Sequence, residues 1–84
     1  MSKGIVRLGD YCTEISPHFC IGGSNNVLAN GYPVCRKGDN WSEGKKVIEG
    51  SKIVFANGYG IARFGDMVSC GFKVISGSRN VFVE

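Results

Sequence analysis

The chain has 84 residues, 43% of them hydrophobic and 20% charged, with a net charge of +3. That balance excludes a disordered chain, and the length is that of one domain near the lower limit for folding on its own core. The ten basic residues never run longer than two together and no apolar stretch is long enough to span a bilayer, which argues against a nucleic-acid face and a membrane helix.

Residues 1–6 are a short lead-in, with Ile5 and Val6 opening a strand. They lack the apolar region of a signal peptide, so the chain is expected to be made in the cytosol and not exported by a cleaved signal. Beyond them a Gly-Ser-x-x-Val pattern occurs three times, at Gly23, Gly50 and Gly77, 27 residues apart. An Arg-x-Gly-Asp precedes each copy, at Arg7 to Asp10, Arg36 to Asp39 and Arg63 to Asp66. The units are therefore read as 7–35, 36–62 and 63–84. Each is too small to fold alone, so they must share a core, as repeat architectures do. Unit one is two residues longer than the others, and the excess falls between Cys12 and Cys20.

Helix is not expected. Glycine interrupts every stretch except 10–21, which carries Pro17 and no helical apolar period. Strands are expected at 27–29, 53–56 and 81–83, the first two ending in Asn-Gly, a pair suited to a tight type I′ hairpin turn. Return strands are expected at 32–36 and 59–63, and a third short strand before each Gly-Ser, at 19–21, 46–48 and 73–75. The expected fold is all-β: three short β-repeats with pseudo-threefold symmetry in a small single domain, 1–84. Each Gly-Asp is read as a sharp corner with the Asp accepting backbone N–H bonds. An Arg–Asp pair could also be catalytic, but a catalytic residue is needed once and a corner in every unit. No nucleophile-elbow motif accompanies the lone His18, so an enzyme is not expected.

These units resemble the PAAR-repeat family, the sharpened tips on the spikes of contractile phage tails and type VI secretion systems. The namesake tetrapeptide stands here as Pro33-Val34-Cys35-Arg36 and Gly60-Ile61-Ala62-Arg63, and the third-unit signature as Gly65-Asp66-Met67-Val68-Ser69-Cys70-Gly71. The resemblance implies a small cone, monomeric in itself, whose base docks on a trimeric β-helical spike, VgrG-like or a phage central spike. It implies mechanical contact with a target membrane, and a place at the end of a phage tail or secretion spike. A single chain with three near-identical units could cover three equivalent strand edges, which are open to aggregation if left bare. The chain ends within its last strand with no room for a cargo domain, which leans towards a phage or phage-like tail.

The resemblance also implies a metal near the vertex, held by His and Cys, and small domains do use metal staples. Four cysteines in a cytosolic chain read first as metal ligands or buried thiols and only second as disulfides. Zinc takes four such ligands in a structural site, and there are five candidates: Cys12, His18, Cys20, Cys35 and Cys70. Cys70 matches the family's third-unit cysteine. Cys35 stands where related tips often have His, or is a small buried residue like its counterpart Ala62. His18 and Cys20 form His-x-Cys, with both side chains to one side if extended; related tips carry Cys-Thr-x-His-x-Cys, whereas extra residues precede His18 here. His18 is otherwise a solvated loop residue. Cys20 aligns with Val47 and Val74, and Cys12 with Trp41 and Val68, so both also suit the core. Unit two offers only Glu43, a poor ligand beside thiolates. The rival to a spike tip is a free-standing zinc-binding module for nucleic acid or protein. For nucleic acid it predicts a clustered basic face and salt-sensitive binding.

Overall fold

The computed structural model describes residues 3–12 and 18–84. Two hairpins carry the expected turns. β2 (Leu28–Ala29) pairs antiparallel with β3 (Tyr32–Pro33), and β4 (Phe55–Ala56) with β5 (Tyr59–Gly60). Their turn residues Asn30, Gly31, Asn57 and Gly58 all have positive φ, from 55° to 84°, which a type I′ turn demands and Asn-Gly tolerates. The third pairing joins the two ends of the chain. β1 (Lys3–Gly4) runs antiparallel to β6 (Phe82–Val83), with Lys3 opposite Val83. The lead-in thus supplies the return strand that the last unit lacks.

Three segments meet at the centre: Ile5-Val6-Arg7, Val34-Cys35-Arg36 and Ile61-Ala62-Arg63. The Val6 amide donates to the Ala62 carbonyl (3.0 Å), Ala62 to Cys35 (2.9 Å) and Cys35 to Val6 (2.8 Å), closing a ring of three bonds. A second cycle links Ile21 to Asn40 (3.0 Å), Ile48 to Met67 (2.9 Å) and Ile75 to Tyr11 (3.0 Å). These bonds run between segments distant in the chain, so no segment can leave without breaking the closure. The result is compact, with a Cα radius of gyration of 10.9 Å and extents of 28 × 23 × 23 Å. The described residues hold short antiparallel strands, one 3₁₀ turn at Ser42–Gly44 and no α-helix.

The segments before each Gly-Ser form single bridges rather than strands, as Cys20 with Trp41 and Val47 with Val68. Each leaves its neighbour after a residue or two, so no ladder builds up. The loop that holds the two extra residues of unit one runs through 13–17, outside the described residues.

The core has two parts. One gathers Val6, Cys12, Cys20, Cys35, Trp41, Val47, Ala62, Val68 and Val74, with Cys70 against it. The other gathers Ile5, Ala29, Val34, Ala56 and Ile61, with Val27, Val54, Val81 and Val83 half-buried against it. Small residues dominate because the three segments lie close together. At Gly60 an added Cβ would meet the Ser51 carbonyl oxygen, and at Gly4 that of Ser78.

Each Arg-x-Gly-Asp folds the same way. The Asp carboxylate accepts the amide of its own Arg at 2.7 Å in Asp10, 2.8 Å in Asp39 and 2.8 Å in Asp66. The guanidinium then grips both carboxylate oxygens, as Arg63 does Asp66 at 3.1 and 2.9 Å. The pair is thus a corner clamp, bonded first of all to itself. Asp66 is the most buried of the three at 2% exposed. Asp66→Ala should cost about 3 kcal/mol, because it strands an amide and a half-buried guanidinium. The urea midpoint should fall with an unchanged slope; a loss under about 0.5 kcal/mol, the size of an ordinary surface substitution, would mean the corner holds without the clamp.

Candidate metal centre

The first core part carries the sulfur chemistry. Tyr11 bridges to Phe19 and the Cys12 amide donates to the His18 carbonyl (3.2 Å), so the two ends of the unit-one loop lie side by side. This sets the Cys12 sulfur 3.8 Å from His18 Nδ1. Cys70 comes from the far end of the chain, in a turn closed by the Gly71 amide on the Val68 carbonyl (2.9 Å), and its sulfur lies 3.6 Å from that of Cys12. The ligand atoms of Cys12, His18 and Cys70 all lie within 4.8 Å of one another.

Those separations suit a tetrahedral ion. Zn–S near 2.3 Å and Zn–N near 2.0–2.1 Å space two sulfurs by about 3.8 Å and sulfur from nitrogen by about 3.6 Å. Two thiols and an imidazole are also the donor set that soft-to-borderline metals select. Cys12, 2% exposed, has its thiol pKa raised by burial and then by its hydrogen bond with Cys70. The metal-free Cys12 thiol therefore holds its proton, and an ion must displace it.

Cys20 and Cys35 lie outside this group and form a second pair. The Cys35 thiol is pushed up by its hydrogen bond with Cys20 and then by burial. It also accepts the Trp41 Nε1–H at 3.3 Å, while the Cys20 thiol donates to the Gly22 carbonyl oxygen at 3.1 Å. Both are 1% exposed or less, packed within the first core part. Cys35→Ala should leave the metal content unchanged and cost about 1–3 kcal/mol, since the Trp41 N–H loses its acceptor. Elemental analysis with urea unfolding reads both quantities, and loss of metal would make Cys35 a ligand.

Two further roles emerge only from the folded arrangement. Glu43 sits in the Ser42–Gly44 turn with φ 59° and ψ 33°, a left-handed conformation costly for a side chain with a Cβ. Its Oε2 lies 3.3 Å from His18 Nε2. The turn asparagines also tie neighbouring segments together. The Ser24 hydroxyl donates to Asn57 Oδ1 (2.6 Å) and Ser78 to Asn30 Oδ1 (2.7 Å). The Arg36 and Arg7 guanidinium groups reach those same two oxygens at 3.1 Å. Asparagine therefore serves as turn residue and crosslink together, where the dipeptide alone suggests only the turn.

Comparison with known protein families matches residues 37–84 to the PAAR motif. The match covers more than half of the chain, which therefore belongs to the PAAR motif family. Its members are the spike-tip proteins of type VI secretion systems and phage tails, structural proteins and not enzymes. A comparison with curated proteins finds no match.

Proposed function

We propose that this chain is a tip that caps and sharpens the trimeric β-helical spike of a contractile injection machine, a phage tail or a type VI secretion system. Beside the family match, the reading rests on one observation, the closed ring of bonds through Val6, Cys35 and Ala62. A homotrimeric spike presents three equivalent strand ends. A lone chain can meet all three only if it offers three equivalent surfaces, and the ring arranges three equivalent segments about one axis. In this reading the protein is a single domain with pseudo-threefold symmetry and units near 7–35, 36–62 and 63–84. It is a monomeric cone that contacts the target membrane mechanically.

The second core part, with Val27, Val54 and Val81 half-buried at equivalent places, forms the base of that cone. The first, with Cys12, His18 and Cys70, forms its point. There zinc would be held by two thiolates and an imidazole, supplying a crosslink between the first and last units that adds to the packing of a small domain. The test is binding of the purified protein to a purified trimeric β-helical spike of its own system. The expected result is one tip per trimer, at an affinity insensitive to salt. Failure to bind, or binding to nucleic acid with a steep salt dependence, would overturn the reading.

A further inference from the structure

We infer that Glu43 is a positioning residue for the metal centre: its carboxylate holds His18 by Nε2 so that Nδ1 is the atom turned to the metal. The inference rests on the metal reading above and extends it to a residue of unit two. Glu43 Oε2 and His18 Nε2 are 3.3 Å apart, while His18 Nδ1 faces the Cys12 sulfur at 3.8 Å. A carboxylate on the outer nitrogen fixes the imidazole tautomer and ring direction and makes the inner nitrogen a better donor.

The pairing is more than two surface charges meeting. Ser42, next to Glu43, is locked to Phe19, next to His18, by two reciprocal bonds: the Ser42 amide to the Phe19 carbonyl (2.9 Å) and the Phe19 amide to Ser42 Oγ (3.0 Å). The carboxylate and the imidazole are thus carried on two segments fastened together beside them. Glu43 also occupies a left-handed backbone position, with φ 59°, that glycine or asparagine would fill with less strain. Its side chain is 69% exposed, so packing does not explain the choice. The sequence offset supports the same placement. Glu43 follows Gly38-Asp39 at the spacing by which Cys70 follows Gly65-Asp66, and Gly44 and Gly71 come next, both at positive φ. The position that carries a ligand in unit three carries a carboxylate aimed at a ligand in unit two.

His18 is the only histidine in the chain, so its ring nitrogens can be read without ambiguity by long-range ¹H–¹⁵N NMR. Zinc affinity is measured alongside by competition with a chromogenic chelator. With zinc bound, the wild type should show a metallated Nδ1 and a protonated Nε2. Glu43→Ala should keep about one zinc per chain but bind it 10–100-fold more weakly. Glu43→Gln, whose carbonyl oxygen can still accept the Nε2 proton, should fall between the two. Affinity of Glu43→Ala within twofold of wild type, or a metallated Nε2, overturns the inference while leaving the metal reading intact. A wild type that binds no zinc overturns both.

Discussion

Cys70→Ser should lower the zinc content of the purified protein from about one ion per chain to a small fraction of that. Its thermal midpoint should fall to that of the wild type stripped of metal. Serine is close to cysteine in size, so the turn around Gly71 keeps its shape, but a hydroxyl is a poor ligand where a thiolate is required. Only Cys12 and His18 then remain of the group that the structure assembles. An ion present at a thousand times its dissociation constant stabilises the folded state by about 4 kcal/mol, a large part of the roughly 5–15 kcal/mol that holds a domain together. For a chain of this length that corresponds to a midpoint shift of roughly 15–30 °C. Chelator should lower the wild type by that amount and leave Cys70→Ser unmoved; a wild-type midpoint indifferent to chelator would show that no metal stabilises the fold. The pH dependence has a definite sign. The Cys12 thiol is raised above its ordinary value of 9.0, so at neutral pH it keeps its proton in the metal-free protein. Zinc must expel that proton, and its affinity should rise with pH by up to about tenfold per unit for each proton displaced. In the metal-free protein the sign reverses. Thiols that keep their protons when folded and lose them when unfolded stabilise the fold fully below about pH 9, and that stability is lost as pH rises further.

Much of this core is legible in the register of the repeats. Aligning the units sets Cys12 on Trp41 and Val68, and all three are buried, at 2%, 0% and 0% exposed; Cys20, Val47 and Val74 coincide likewise at 1% each. Such positions are readable because a shared core needs an inward residue at the same place in every unit. The pairing of Lys3–Gly4 with Phe82–Val83 is not readable, since a two-residue strand has no periodicity and its partner lies at the opposite end of the chain. The site is legible by residue type but not by grouping. Five candidate ligands divide into Cys12, His18 and Cys70 on one side and Cys20 with Cys35 on the other, and that division depends on contacts across the core that no spacing encodes. Glu43 reads in the sequence only as a poor ligand beside thiolates. Its offset from Gly38-Asp39 matches that of Cys70, but nothing local shows that His18 comes back across the loop to meet it.

Val54→Asp should weaken binding to the spike by about a hundredfold or more while leaving zinc content unchanged and stability only modestly reduced. Val27, Val54 and Val81 are presented in the same way. The amide of each donates to the hydroxyl oxygen of the serine three residues earlier, at 2.9 Å from Ser24, Ser51 and Ser78 Oγ. Each carbonyl accepts the amide of Val34, Ile61 or Ile5 at 3.0–3.1 Å. With the backbone held on both sides, the half-buried side chains cannot turn away from the surface they form. Leu28, Phe55 and Phe82, which follow directly in the chain, are themselves exposed at three equivalent places. A carboxylate introduced at Val54 would have to be desolvated against an apolar partner without a counter-ion, at a cost of about 3 kcal/mol or more, which is about a hundredfold in affinity. Calorimetric titration against the trimeric spike measures the loss, with Lys52→Ala as a control at an exposed neighbour. Equal affinity for Val54→Asp and wild type would place the docking surface elsewhere. On the proposed docking, one substitution suffices: a tip seated by three equivalent contacts at once could not tilt to free the charged corner without lifting the other two, so the penalty at one site would fall on the whole interface.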